Sequence, residues 1–290
     1  MILDGHIHMA PVPGGDYDAN RSLLLSRMAQ AGVSGGTLLS LDPSQAGERY
    51  TGKERIDQVL ALRGAEPNLF AFHWIYPPDE DALDQVDYAV SKGIDGFKII
   101  CEDFYPRDER CMAVCRRAAA AGKPVLFHSG ICWDGKDSAR YNRPGEFECL
   151  LDVPNLRFTL AHVSWPWCDE CIAVYGKFSN AYSLHPNLSC EMFVDLTPGT
   201  PPLWREDALK KLFCGDYEVM HNVIFGTDCD TVTYNVKWVT DWLRRDNDIY
   251  QRLGLSVNEK FLPHIYGENL LRFLGKKTEN FERKIPVPGV

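Results

Sequence analysis

His6 and His8 stand one residue apart in the opening run Met1-Ile-Leu-Asp-Gly-His-Ile-His-Met9. Side chains on a strand alternate between faces, so both imidazoles share one face while Ile7 takes the other. Two neutral imidazoles placed this way can grip one divalent cation. The same spacing also describes two satisfied histidines on a half-buried strand, so its meaning depends on what distant parts of the chain bring to the same place.

Four more polar residues lie in or end apolar runs. Lys98 sits in Gly96-Phe-Lys-Ile-Ile100, and His128 closes Pro124-Val-Leu-Phe-His128. His162 closes Arg157-Phe-Thr-Leu-Ala-His162, and Asp228 closes Val223-Ile-Phe-Gly-Thr-Asp228. Four imidazoles, a carboxylate and an amine at corresponding run ends are the right donors for zinc or a related ion, and metal binding is the favoured reading.

These side chains must be carried by regular elements. Strand patterns occur near Ile2–Met9, Ser34–Leu41, Leu69–Tyr76, Gly96–Cys101, Pro124–Ser129, Arg157–His162, Ser189–Leu196 and Asn222–Thr227. Helical patterns follow them at Ser22–Ala31, Lys53–Gly64, Asp79–Lys92, Asp108–Ala121, Pro144–Leu151, Trp167–Phe178, Arg205–Leu212 and Val232–Arg245. Glycines at positions 32, 64, 93 and 122 supply helix stops before the next strand. Repeated strand–helix units predict an α/β fold, a (β/α)8 TIM barrel, whose active site belongs at the C-terminal ends of the strands. An open doubly wound sheet is the alternative, disfavoured because neither G-x-G-x-x-G nor a P-loop is present.

The 290 residues are 45% hydrophobic and 24% charged, a composition that suits a folded globular chain rather than a disordered one. A formal charge of −9 argues against nucleic acid or an anionic membrane as the main partner. There is no continuous apolar stretch of membrane-spanning length and no basic leader ahead of the first strand, so a cytoplasmic location is expected. The 10 cysteines are expected to be reduced. Cys111 and Cys115 have the spacing of one helix face, and Cys168-Asp-Glu-Cys171 has no matching second half.

As a set, Asp4-Gly-His-Ile-His8, Phe127-His-Ser-Gly130, Leu160-Ala-His162, Phe225-Gly-Thr-Asp228 and the closing Ile265-Tyr-Gly-Glu-Asn-Leu-Leu-Arg-Phe-Leu274 resemble the amidohydrolase superfamily. The likeness is to its amidohydrolase-2 branch, related to aminocarboxymuconate-semialdehyde decarboxylase. It spans nearly the whole chain and implies one metal-dependent hydrolase domain over residues 1–290. It further implies that His6, His8, His128 and Asp228 ligate a divalent ion, most simply zinc. His162 would be a ligand of a second ion or a catalytic group, and Asp228 a proton acceptor. Lys98 has three open readings: a carboxylated lysine bridging two metals, an ammonium holding a substrate carboxylate, or a chain reaching to the rim.

Other candidates surround this set. Arg140 and Arg143, in the long segment after the fifth strand, suit an anionic substrate, and Trp165 suits a planar one. Glu191 and Asp195 on the seventh strand can reach the pocket or pair with neighbours. His73 fits an aromatic core or a pocket wall, while His185, His221 and His264 fall outside the matching strand ends. The resemblance implies hydrolysis of an amide, ester or lactone of a small substrate, with or without a carboxylate. Non-oxidative decarboxylation is the alternative, and a catalytically silent metal- or metabolite-binding barrel the third. Residues 267–274 have helical apolar spacing, residues 285–290 look extended, and a homo-oligomer stays open.

Overall fold

In a computed structural model that describes residues 1–46, 49–185 and 188–276, the strands form one parallel sheet curled into a barrel. They are β1 (Leu3–His8), β2 (Gly35–Leu39), β3 (Leu69–Trp74), β4 (Gly96–Ile99) and β5 (Val125–Phe127), then β6 (Arg157–Leu160), β7 (Glu191–Asp195), β8 (Val223–Ile224) and β9 (Cys229–Asp230). The order is β8-β7-β6-β5-β4-β3-β2-β1-β9, each strand parallel to its neighbour.

Nine segments make eight staves. Of the expected strand Asn222–Thr227 only Val223 and Ile224 form β8; β9 lies beyond it, and the stretch from Phe225 to Thr231 closes the ring against β1. Gly5 N donates to Phe225 O at 2.8 Å, Asp228 N to His6 O at 3.0 Å, and Thr231 N to His8 O at 2.9 Å. Asp228 itself has φ +61°, a left-handed conformation that interrupts regular pairing. The fold is the predicted (β/α)8 barrel.

Alternation sorts the strand residues cleanly. Leu39, Phe70, Phe72, Leu126, Phe193 and Ile224 fill the lumen, sealed from below by Leu270, Phe273 and Leu274 of the C-terminal helix Asn269–Phe273 and its next residue. Ile7, Leu38, Ala71, Phe97, Ile99, Val125, Phe127, Phe158 and Val194 face outward and pack with the helices. In β1 the register shifts between Asp4 and Ile7. That irregularity lets Leu3 join the lumen while Ile7, four residues on, joins the outer layer. His6 and His8 are therefore turned inward above Leu3.

Helices occupy the expected intervals but not the expected limits. The first is Tyr17–Gln30 rather than Ser22–Ala31, because Asp16 caps it by accepting from Ala19 N at 2.9 Å. The last wall helix is Val236–Arg252, capped by Asn235 through Trp238 N at 3.0 Å. Residues 144–152 form 3₁₀ turns instead of the α-helix expected at Pro144–Leu151. The closing segment is a π turn, His264–Glu268, before the final helix. The extended reading of residues 285–290 lies outside the described residues.

All 10 cysteines are free thiols, and Cys111 and Cys115 are both buried on the helix Glu109–Ala120, as the spacing predicts. Among the described residues no helix is long and apolar enough to cross a membrane.

Candidate active site

At the C-terminal mouth of the barrel lies a cavity of about 140 Å³, lined by His6, His8, Lys98, His128, His162 and Asp228. These are the six residues that the strand ends predicted, delivered by β1, β4 and the turns after β5, β6 and β8. The fifth and sixth strands are shorter than expected: β5 ends at Phe127 and β6 at Leu160. His128 and His162 therefore stand just beyond regular pairing. His162 has φ +62° and begins a left-handed run through Val163 and Ser164, which swings its ring over the lumen.

Three atoms meet closely. His6 Nε2 and His8 Nε2 are 3.1 Å apart, Asp228 Oδ1 is 3.0 Å from His8 Nε2, and it is 3.6 Å from His6 Nε2. Metal–ligand bonds of about 2.1 Å in tetrahedral or octahedral arrangement require ligand–ligand separations of about 3.0–3.4 Å, so these spacings suit one small divalent ion. His6, His162 and Asp228 also offer ligand atoms all within 4.8 Å of one another.

Unmatched polar atoms point the same way. Lys98 Nζ, His128 Nε2 and His162 Nδ1 are buried without a hydrogen-bond partner. Each such group costs about 1–3 kcal/mol, so the three together cost roughly 3–9 kcal/mol. That approaches the whole net stability of about 5–15 kcal/mol for a typical domain. A chain bears such a cost where something else satisfies the groups, and neutral imidazoles are the form a metal takes.

Electrostatics prepare that form. Burial lowers His6 to about 4, with Lys98 adding to the shift against the pull of Asp195. Burial also holds His128 well below the usual imidazole value, helped by His162 and Lys98, and it lowers His162. Partial burial works to raise Asp228, but the hydrogen bond to His8 and the charges of His162 and His6 outweigh it and keep the carboxylate ionised. Desolvation brings Lys98 down to about 8.

Two carboxylates support the cluster from behind. Asp195, at the end of β7, holds His6 Nδ1 at 2.8 Å and accepts from Thr197 N at 2.6 Å. Asp4 accepts from Thr227 N at 3.0 Å and Tyr234 OH at 3.0 Å, tying β1 to the turn that carries Asp228. Gly226 makes this approach feasible, since a Cβ there would lie 2.8 Å from His6 Cβ. Asp4 belongs to the first motif, and its role comes from bonds that cross to the far end of the chain. Asp195 was named beside Glu191, and their places on β7 separate them. Glu191 begins the strand and pairs with Arg272 at 2.7 Å, whereas Asp195 ends it at the mouth.

Trp165 lines the cavity, as do Trp133, Ile100, Ile131, Pro198 and Gly199, which carried no prior signal beyond loop position. Arg140 and Arg143 do not line it. Arg140 lies over the Tyr141 ring at 4.8 Å, and Arg143 pairs with Glu170 at 2.9 Å and covers Trp167. Their loop turns these side chains outward. His73 points away from the lumen, with Nε2 2.9 Å from Gln85 Oε1. His221 and His264 meet each other with ring centroids 4.4 Å apart, away from the cavity, and His185 is exposed.

Fold and site together define an α/β barrel with a cluster of histidine, aspartate and lysine at the C-terminal mouth of its strands. The chain belongs to the amidohydrolase family, whose model described as "Amidohydrolase" matches residues 4–276. No curated protein matches. Among solved structures it is similar to a protein described as a probable 2-pyrone-4,6-dicarboxylic acid hydrolase from Acinetobacter baumannii, with citric acid bound. That match has 12% identity and TM-score 0.59, covering 94% of this chain and 99% of the other. It is similar to 2,6-dihydroxybenzoate decarboxylase in complex with 2,6-dihydroxybenzoate, at 13% identity and TM-score 0.58 over 95% and 98% of the two chains. It is also similar to 4-oxalomesaconate hydratase from Rhodopseudomonas palustris, at 13% and 0.61 over 95% and 96%. At these identities the structural likeness shows the fold.

Proposed function

We propose that this protein is a metal-dependent hydrolase acting on an amide, ester or lactone of a small substrate. The observation that carries the reading is the meeting of His6 Nε2, His8 Nε2 and Asp228 Oδ1 at 3.0–3.6 Å beside the unpartnered His128 Nε2. His6, His8, His128 and Asp228 would hold the ion, and His162 and Lys98 would complete a second position if the Lys98 amine is carboxylated. A bound divalent ion, most simply zinc, supplies activated water and polarises the scissile carbonyl.

The protein groups have separable tasks. Asp228, ionised and on the rim, takes the proton of the attacking water and passes it to the leaving group. His162 donates to the carbonyl oxygen as charge develops there. Lys98 as an ammonium would face a substrate carboxylate, in keeping with the carboxylates held by two of the similar structures. Trp165 and Trp133 line the cavity, the first half-buried beside the cluster and the second exposed at its edge. Arg140 and Arg143 would take part only if their loop rearranges on binding.

Decarboxylation is the second reading, favoured by the indole of Trp165 beside the cluster, which would pack against the ring of a planar carboxylated substrate. The test is direct. Purified protein is loaded with zinc or manganese, offered esters, lactones, amides and carboxylated aromatics, and assayed again after chelation. Metal-dependent acid release supports hydrolysis, and CO2 release shifts the assignment to a decarboxylase. Tight metal binding with no turnover across the panel identifies a silent barrel. Metal analysis with intact mass of Lys98-containing peptides separates one ion from two.

A further inference from the structure

A second and larger cavity opens beside the first. It measures about 540 Å³ and is built by the segments after β2, β3 and β4, with Lys136 from the segment after β5. The two share Ile100, and Trp74 in the wall of the larger one lies against His8 with ring centroids 5.4 Å apart. Trp74 and Ile100 therefore stand at the boundary between the two cavities.

Its charges are unbalanced. Four carboxylates, Asp79, Asp81, Glu102 and Asp103, face two cations, Arg55 and Lys136. Most are already engaged. Lys136 is bound to Glu102, Asp103 accepts from Tyr76 OH at 2.7 and 2.9 Å, and Asp81 accepts from Gln85 Nε2 at 2.7 Å. Arg55 commits Nη1 to the carbonyls of Leu41 at 3.1 Å and Trp74 at 2.7 Å.

Two groups remain under-satisfied. Asp79 has only a 3.5 Å hydrogen-bond contact, from Gln85 Nε2, and burial together with the Asp81 charge raises its carboxyl above the usual value against that weak bond and the more distant charge of Arg55. Arg55 is 2% exposed, yet its Nε has no partner. One asks for a cationic donor and the other for a neutral oxygen acceptor. The aromatic faces of Tyr50, Trp74 and Tyr76 complete a wall suited to an ammonium.

We propose that this cavity is the distal subsite of the enzyme and receives an arm bearing a primary ammonium next to a carbonyl or hydroxyl oxygen. The ammonium sits between Asp79 and Asp81, and the oxygen accepts from Arg55 Nε. Calling the occupant a substrate arm rests on the hydrolase reading, whereas the ligand chemistry rests on the cavity alone.

A matched pair of probes tests it. β-Alaninamide and succinamate present the same amide with opposite charge, and their binding to the zinc-loaded full chain is read by calorimetry and by Trp74 fluorescence. β-Alaninamide is expected to bind at least tenfold tighter, to persist after chelation, and to weaken about tenfold in Asp79→Asn. Asp81→Asn, which removes the second carboxylate facing the ammonium, is expected to weaken it severalfold and serves if the first variant melts early. Equal or reversed preference, or affinity unchanged in both variants, overturns the proposal. Absence of turnover with this preference intact overturns only the hydrolase reading.

Discussion

Asp195 Oδ2 lies 2.8 Å from His6 Nδ1, and both side chains are buried at the end of the lumen. The carboxylate stays ionised because attraction to His6 and the bonds from His6 and Thr197 outweigh its desolvation. It fixes the tautomer with the proton on Nδ1 and leaves Nε2 free for the cavity.

Asp195→Asn should therefore weaken zinc affinity about 10–100-fold while the barrel stays folded. Competition titration against a chromophoric chelator measures this, and far-ultraviolet circular dichroism checks the fold. Unchanged affinity would remove Asp195 as a positioning residue.

Asp228→Asn keeps the size of the side chain but removes its charge. On any substrate the zinc-loaded protein turns over, kcat should fall about 10²–10⁴-fold with a smaller change in KM. The pH–rate profile should also lose its acidic limb, which a purely structural residue would leave in place.

His73 is buried and neutral, lowered to about 3 by desolvation and by the Arg55 charge. The unfolded chain takes up this proton near 6.5, so the contribution is complete above that pH and is lost as pH falls toward 3. Between pH 6.5 and 5 the metal-free protein should lose about 2 kcal/mol through this group. Urea melts at several pH values should show a shallower acid slope for His73→Gln.

Arg140→Ala and Arg143→Ala should leave KM within about twofold. Their contacts with Tyr141 and Glu170 are on exposed surface, where such pairs contribute about 0–1 kcal/mol. A large KM increase in either variant would show that the loop folds inward on binding.

The first two histidines were readable as a pair because strand alternation is a local property, and Ile7 does face the outer layer opposite them. His128, His162 and Asp228 were readable as partners because apolar runs that end in a polar residue mark the mouth of a barrel. Helix starts were misplaced by several residues where a cap such as Asp16 lay upstream of the apolar pattern. The split of the eighth strand was hidden, because nothing local distinguishes a paired Thr227 from a turn at Asp228.

Sequence alone thus determined the parallel barrel, the facing of His6 and His8, and the residue types at the mouth, since each depends on periodicity along a short segment. Only the tertiary structure decided that Asp195 rather than Glu191 backs His6, that Asp4 braces the Asp228 turn, and that Arg140 and Arg143 face away. These are distances between segments up to 230 residues apart, set by barrel closure and loop direction. The acidic cavity beside the cluster is of the same kind: its residues come from the segments after four strands, and their charges acquire meaning only once the barrel brings these segments together.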